Sequence, residues 1–305
     1  MEGCDPLDRN ENLSSSRREF PSSRVRRQEM DELETGSFSK DPPPSVWPKT
    51  IRLVNWNVNR GLRLREIIEF LAETSADVIL LQETDVNVRR TRYCNVPREI
   101  ARALRMDYVF GREFEELSHT SGGSPAYHGQ TTLSRLPLSR PHLHRFQRQS
   151  SFWRPRWFIP TLEPFQRRLG GRMALIAEIS IHSRTLVLYN VHLESRGSDK
   201  LRCNQLSDIL LKVSRHPADT PVLIGGDFNF DISRTRTAEL IANACISNPF
   251  LSLEKHRTVQ PGMLARPVAI DWILTGGALS ATHPAVHESA TASDHFPLSL
   301  ELRLP

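Results

Sequence analysis

The sequence predicts an α/β fold in which two layers of strand are covered by helices. Short apolar runs with strand character outnumber stretches of helical spacing, and the two kinds are mixed along the chain. The apolar fraction, 38% of 305 residues, supplies a buried core over most of the length.

Residues 1–48 are rich in Ser, Arg, Glu and Pro, lack apolar periodicity and close on Pro42, Pro43 and Pro44. They read as a disordered polar tail, because they bury too little apolar surface to offset the entropy of ordering. A single folded domain is expected over 49–305. Ile51 to Val58 reads as its first strand. From Arg63 to Thr74, the spacing of Leu64, Ile67, Ile68 and Leu71 marks one face of a helix. Asp77 to Glu83 is a nearly continuous apolar run, as in a strand buried on both sides. Pro97 to Arg105 reads as a helix with proline in its first turn. Tyr108 to Phe110, Gln130 to Ser134, Arg172 to Ile181 and Thr185 to His192 are further strands. Asp199 to Arg215 is a helix that turns Leu201, Leu206, Ile209, Leu210 and Val213 inward. Pro221 to Gly226 is a strand and Thr235 to Cys245 a helix. Val268 to Leu274 and Phe296 to Leu302 are the closing strands, with a further candidate at 280–288. Residues 111–128 and 140–171 read as long loops, which in a compact domain are commonly functional.

No apolar run approaches the ~18 residues that cross a bilayer, and the polar N-terminus shows no secretory signal, so a cytoplasmic protein is expected. Cys4, Cys94, Cys203 and Cys245 have no metal-ligand spacing and are expected as isolated reduced thiols. The formal net charge is +5, but residues 1–48 hold seven Arg/Lys against ten Asp/Glu, so the body is the basic part. A basic body favours an anionic partner: nucleic acid, phospholipid or a phosphorylated metabolite. Arginine makes up 35 of the 40 basic residues, so part of this signal is compositional.

Five polar clusters sit at the ends of apolar strands. In Gly225-Gly226-Asp227-Phe228-Asn229, period-two alternation puts Asp227 and Asn229 on one face, where a carboxylate beside an amide can hold a water and touch a phosphate oxygen. The glycines let backbone and ligand approach. Glu83 ends a buried strand, where a charge is expensive unless paired or on a metal. Its oxygens suit a hard cation such as magnesium or manganese. Asn55, Asn57 and Asn59 alternate along a strand that is otherwise apolar, and Asn57 is placed to contact that cation or its water. Asn190, His192 and Glu194 share one face, with His192 available to donate to a phosphate oxygen. Ser293-Asp294-His295 sets an acid beside a histidine. Asp271, alone inside an apolar strand, needs a partner, and His295 is the natural one. Singly, each cluster has an ordinary explanation as a turn, a strand end or a satisfied amide network.

Their order and content resemble the endonuclease/exonuclease/phosphatase superfamily. The matching pieces are NWNVN at 55–59, LQE at 81–83, NVHLES at 190–195, GGDFN at 225–229, AIDWIL at 269–274 and SDHFPL at 293–298. NVHLES followed by Arg202 and Gln205 looks most like the tyrosyl-DNA phosphodiesterase and bacterial nuclease-like branches. The resemblance implies a four-layer α/β/β/α sandwich: two packed mixed, mostly antiparallel sheets flanked by helices. It implies a Mg2+-dependent (or Mn2+-dependent) hydrolase that cleaves phosphate esters by in-line attack of water. Glu83, Asn57 and Asp294 would stand at the metal. Asp227 would position or deprotonate the water, with Asn229 on the phosphate. His192 and His295 would stabilise the phosphoryl charge, and Asp271 would orient His295. Gln130 would make a minor contact.

Residues 140–172 carry eight arginines against one acid, interleaved with aromatic rings. Arg154, Arg156, Trp153 and Trp157 are the candidates there for substrate binding, since arginines for phosphates and rings for stacked bases suit single-stranded nucleic acid. The same mixture suits contact with a membrane surface. A nuclease or DNA phosphodiesterase is the favoured reading. A lipid or small-molecule phosphodiesterase or phosphatase of the sphingomyelinase or inositol-phosphate type is the alternative, and a non-catalytic binding module on the same fold is a third. Oligomeric state has no signature in the sequence.

Overall fold

The computed structural model describes residues 33–39, 46, 48–117, 124–153, 168–181, 184–253, 257–260 and 268–304. Among the described residues, fourteen strands form two sheets. The first runs in the order β1 (Leu33–Gly36), β4 (Asp107–Glu116), β5 (Tyr127–Ser134), β3 (Val78–Val86), β2 (Ile51–Arg60), β14 (Leu298–Arg303), β13 (Ser280–Val286), with β7 (Arg168–Gly170) also paired to β4. The second runs β11 (Ile246–Ser247), β12 (Asp271–Gly276), β10 (Val222–Asp227), β9 (Arg184–His192), β8 (Met173–Ile181), β6 (Leu138–Arg145). Only β2–β3 and β9–β10 pair in parallel among the described strands; every other pairing is antiparallel. These are two packed mixed sheets, mostly antiparallel, as the motif order implied.

Alternation along β2 explains the layering. Ile51 and Leu53 pack between the sheets with Leu80, Leu188, Ile224 and Trp272. Val54, Trp56 and Val58 face the other way, onto α1 (Leu64–Thr74) and α2 (Val96–Leu104), where Ile67, Leu71, Ile100 and Leu104 close a second core. α3 (Asp199–Val213) covers the second sheet with Leu206, Ile209, Leu210 and Val213, four of the five residues its spacing predicts, while Leu201 is only half-buried. α4 (Thr235–Asn243) packs Ile241 beside it. α2 starts as its sequence suggests, with the Asn95 side chain accepting the Arg98 N–H and proline in the first turn. None of the described helices is long and apolar enough to cross a membrane.

Three expectations change. The stretch read as a polar tail contains β1, which pairs with β4 and sets Glu34 against Tyr108 and Asn95, each at 2.7 Å. The folded body therefore includes Leu33; residues 1–32, 40–45 and 47 lie outside the described residues. The 111–128 loop gives way to the rest of β4 and the start of β5, and the 140–171 loop holds most of β6 and all of β7. His142 is exposed on β6, and His144 is half-buried there.

Candidate active site

The site forms where strands of the two sheets end together. β12 pairs with β10 so that Asp271 stands opposite Asp227, and β9 pairs with β10 so that His192 does too. Three polar residues thus lie side by side across one sheet. The other sheet faces them with the polar ends of β2 and β3. Asn55, Asn57 and Gln82 continue the face that Leu53 and Leu80 present to the second sheet. A buried amide seam joins the sheets beneath the site: Gln82 Nε2 donates to Asn55 Oδ1 at 2.9 Å and Asn190 Oδ1 at 2.8 Å, and Asn190 Nδ2 donates to the carbonyls of Leu81 and Thr131. Gly225 permits this approach, since a Cβ there would lie 2.7 Å from Leu80 Cδ1 on the facing sheet, and β10 closes on β9 within the same sheet through Gly226. The Gly226 φ is +159°, and a Cβ there would lie 1.9 Å from the Val191 carbonyl oxygen.

Asp227 Oδ2 is the point of convergence. Asn57 Nδ2 donates to it at 3.0 Å, His192 Nε2 stands 3.5 Å away and His295 Nε2 3.8 Å away. Oδ1 accepts the Asn229 backbone N–H at 2.8 Å, and Asn229 Nδ2 donates to the Leu193 carbonyl. Burial, and then the charge of Asp271, push the Asp227 carboxyl up to about 7.

The two histidines are held in different charge states. His295 Nδ1 lies 2.8 Å from Asp271 Oδ2, and Asp271 is fixed in turn by its backbone N–H donating to Thr258 Oγ1 at 3.0 Å. Burial alone would lower the His295 imidazole, but the Asp271 and Asp227 carboxylates override it and push it up to about 10. His295 is an imidazolium. His192 Nδ1 instead meets Arg172 Nη1 at 2.8 Å. A guanidinium can only donate, so Nδ1 is an acceptor and the ring proton belongs on Nε2. Burial and the Arg172 charge hold this imidazole well below its ordinary value, so it is neutral. Arg172 is itself fixed by Glu113 Oε1 at 2.7 Å and by Ser195 Oγ at 2.9 Å.

Glu83 occupies a left-handed backbone conformation, φ +54°, inside a β-bulge where β3 slips past both neighbours. Such a conformation is costly for a residue with a side chain and is characteristic of functional sites. Burial acts to raise the Glu83 carboxyl, but the charges of Arg60, Arg172, His295 and Arg168 outweigh it and keep it below the usual range. Among the described residues no hydrogen-bond donor meets this carboxylate. A half-buried, ionised carboxylate with no donor among the described residues, in the field of His295, fits a hard divalent cation. Asp294 is exposed next to His295, with Ser293 Oγ 3.2 Å from its carboxylate.

The family model of the Endonuclease/Exonuclease/phosphatase family matches residues 54–295, which span every residue of this cluster. The chain belongs to that family. Human tyrosyl-DNA phosphodiesterase 2 (Homo sapiens) is 27% identical over 212 residues, covering 67% of this chain and 49% of that protein. The chain therefore spans about half the length of this relative. Among solved structures, the endonuclease/exonuclease/phosphatase protein of Beutenbergia cavernae superposes with a TM-score of 0.61 at 16% identity, covering 84% of this chain and 72% of that one. D. rerio tyrosyl-DNA phosphodiesterase 2, in a complex with single-strand DNA product, superposes with a TM-score of 0.55 at 20% identity, covering 84% of this chain and all of the other. These two likenesses concern the fold.

Within this member of the family, the remaining residues singled out from sequence are not drawn into the cluster. Gln130 is buried between the sheets, where Nε2 donates to the Met173 carbonyl at 2.9 Å. Trp153 donates from its indole to Glu194 at 2.7 Å, and its ring is taken up by Phe114, Phe152, Arg168 and Arg172. It braces the rim and offers little open face for stacking. Arg154, Arg156 and Trp157 lie outside the described residues. Glu194 also accepts the backbone N–H groups of Ser150 and Arg196, while Gln205 and Arg202 bond to its backbone, so the NVHLES motif shapes the rim as well as supplying His192.

Sequence reasoning missed Glu113 and the contact that Arg172 makes. Glu113 lies in a stretch read as loop, and no local pattern marks it. Asp85, Glu116 and His128 form a second buried group of possible metal donors. Arg90 bonds both Asp85 oxygens and Glu116, and Arg168 bonds Glu116, so two guanidiniums already occupy the place of a cation.

Proposed function

We propose that the protein is a magnesium-dependent phosphodiesterase acting on single-stranded DNA, by in-line attack of water on phosphorus. The observation that carries this reading is the convergence on Asp227 Oδ2 of Asn57 Nδ2, His192 Nε2 and His295 Nε2 from two sheets. Three nitrogen groups aimed at one buried carboxylate oxygen define a place for an attacking water and, between the imidazoles, for phosphoryl oxygens.

In this reading Asp227 takes the proton of the attacking water as the new P–O bond forms. The ester P–O bond opposite it breaks and the leaving oxygen is protonated from solvent, while the Asn229 N–H and Asn57 amide hold the carboxylate in line. His192 donates from a neutral Nε2–H to one phosphoryl oxygen, and His295 donates as imidazolium to another. Each pre-organised donor is worth about 2–4 kcal/mol to the transition state. Asp271 orients the His295 ring and keeps it charged. Glu83, with Asn57 and Asp294, would hold Mg2+ or Mn2+. When bound, the cation stabilises the charge that develops on the phosphoryl group. The substrate class is supported by the basic body of the chain and by the human relative whose name specifies tyrosyl-DNA. The single-strand DNA product held by the D. rerio protein points the same way.

The test is a Mg2+-dependent screen of the purified chain against single-stranded DNA, 5′-tyrosyl single-stranded DNA, RNA, sphingomyelin and an inositol phosphate. Turnover is expected on the DNA substrates, lost with chelator and in Asp227→Asn. Turnover confined to sphingomyelin or the inositol phosphate would overturn the DNA assignment.

A further inference from the structure

Arg60 has no part in the reading above, yet it stands beside the residue that would hold the cation. β2 takes three steps, Asn57 to Arg60, while its neighbour β3 takes two, Gln82 to Thr84. The bulge turns Asn59 and Arg60 into the left-handed region, φ +43° and +67°, and sets Arg60 opposite Thr84, one residue from Glu83. The loop is held in this shape by side chains: the Asn59 N–H donates to Asn57 Oδ1 at 3.0 Å, and Arg60 Nη1 donates to Asn59 Oδ1 at 2.8 Å. Arg60 Nε is buried and has no hydrogen-bond partner among the described residues. Arg60 is also the cation whose charge Glu83 feels most. A half-buried guanidinium whose Nε–H donor is left over is costly to keep in place unless something else occupies its donors.

A divalent cation at Glu83 cannot satisfy those donors and would repel them. An anion lying between the two would be attracted to both, and the planar fork of arginine matches the oxygens of a phosphate. We propose that Arg60 is a substrate-phosphate ligand on the cation side of the site, making cation binding and phosphate binding mutually dependent. Arg60 weakens the cation alone and strengthens it once a phosphate bridges the two. By linkage, the cation strengthens phosphate by the same factor. This rests on the phosphoesterase site proposed above, with Glu83 at the cation.

The experiment is calorimetric titration of Mn2+ into the metal-free full chain, with and without inorganic phosphate, for wild type, Arg60→Gln, Arg60→Lys and Glu83→Gln. In wild type, phosphate should tighten Mn2+ binding about tenfold, within the usual span of site coupling. Arg60→Gln should bind Mn2+ alone several-fold more tightly than wild type and lose most of the phosphate effect, and Arg60→Lys should retain part of it. On a 5′-tyrosyl oligonucleotide, Arg60→Gln should raise KM roughly ten- to a hundredfold, as for loss of a charged hydrogen bond, with kcat changed far less. A residue that merely braced the bulge would give weaker Mn2+ binding in Arg60→Gln, and that result overturns the proposal, as does full phosphate coupling in the variant. Arg60→Lys carries the same test if Arg60→Gln does not fold. A wild type that binds Mn2+ through Glu83 and couples it to phosphate, yet cleaves no DNA, sinks the DNA reading and leaves Arg60 standing. A wild type that takes up no Mn2+ sinks both.

Discussion

Replacing Asp271 with asparagine keeps the shape that fixes His295 but removes the charge that keeps it protonated. In wild type, activity should rise as Asp227 loses its proton near pH 7 and fall as His295 loses its own near pH 10, a bell whose limbs follow those two groups. The Asp271 charge raises both groups, so Asp271→Asn should carry both limbs to lower pH and depress kcat on the order of a hundredfold or more. The check is kcat/KM against pH on a small phosphodiester. A basic limb that stays in place would show that His295 is not the group on it. This pairing was legible in the sequence because a lone acid inside the apolar strand Ala269 to Leu274 demands a partner. The Arg172–His192 contact was not. A guanidinium just before β8 looks solvated until the fold buries it against Glu113, and only its contact with His192 Nδ1 decides which nitrogen of that ring carries the proton.

Strand register sets the site, so substitutions that disturb register should be felt there first. Gly226→Ala would place a methyl 1.9 Å from the Val191 carbonyl at a φ that L residues avoid. A destabilisation of about 2–3 kcal/mol or more is expected in urea unfolding. An unchanged midpoint would mean that β9 and β10 can separate at no cost. Glu34→Ala should cost about 1–2 kcal/mol, because Tyr108 and Asn95 each lose a charged acceptor. No change in that variant would return β1 to the status of a dispensable tail. The long buried strands and amphipathic helices were readable from period and caps. β1 was not, since four residues carry too little alternation. The rest of β4 was missed for a different reason. Arg112, Glu113 and Glu116 give it the composition of a loop, but Glu113 and Glu116 are buried carboxylates neutralised by Arg172, Arg90 and Arg168, which come from elsewhere in the chain. Composition alone cannot show a charge cancelled from a distance.

At the scale of the molecule, the sandwich brings residues from positions 57 to 295 onto one oxygen of Asp227, and it leaves Glu83 charged among guanidiniums with no donor of its own among the described residues. A cation that binds only this assembled arrangement must stabilise the folded chain, because the unfolded chain scatters the ligands. At a hundredfold excess over its dissociation constant, Mg2+ should add about 2.7 kcal/mol, read as a rise in the unfolding midpoint that chelator reverses. In Glu83→Gln the metal-free midpoint should fall, because the Arg60, Arg172 and Arg168 charges lose the carboxylate among them. The Mg2+-dependent rise should then disappear. The two effects separate a metal ligand from a simple counter-ion: a counter-ion would lower the metal-free midpoint and leave the response to Mg2+ intact. If Glu83→Gln still gains the wild-type increment from Mg2+, the cation binds elsewhere in the fold, and the chemistry assigned to this end of the two sheets would have to be built around another carboxylate.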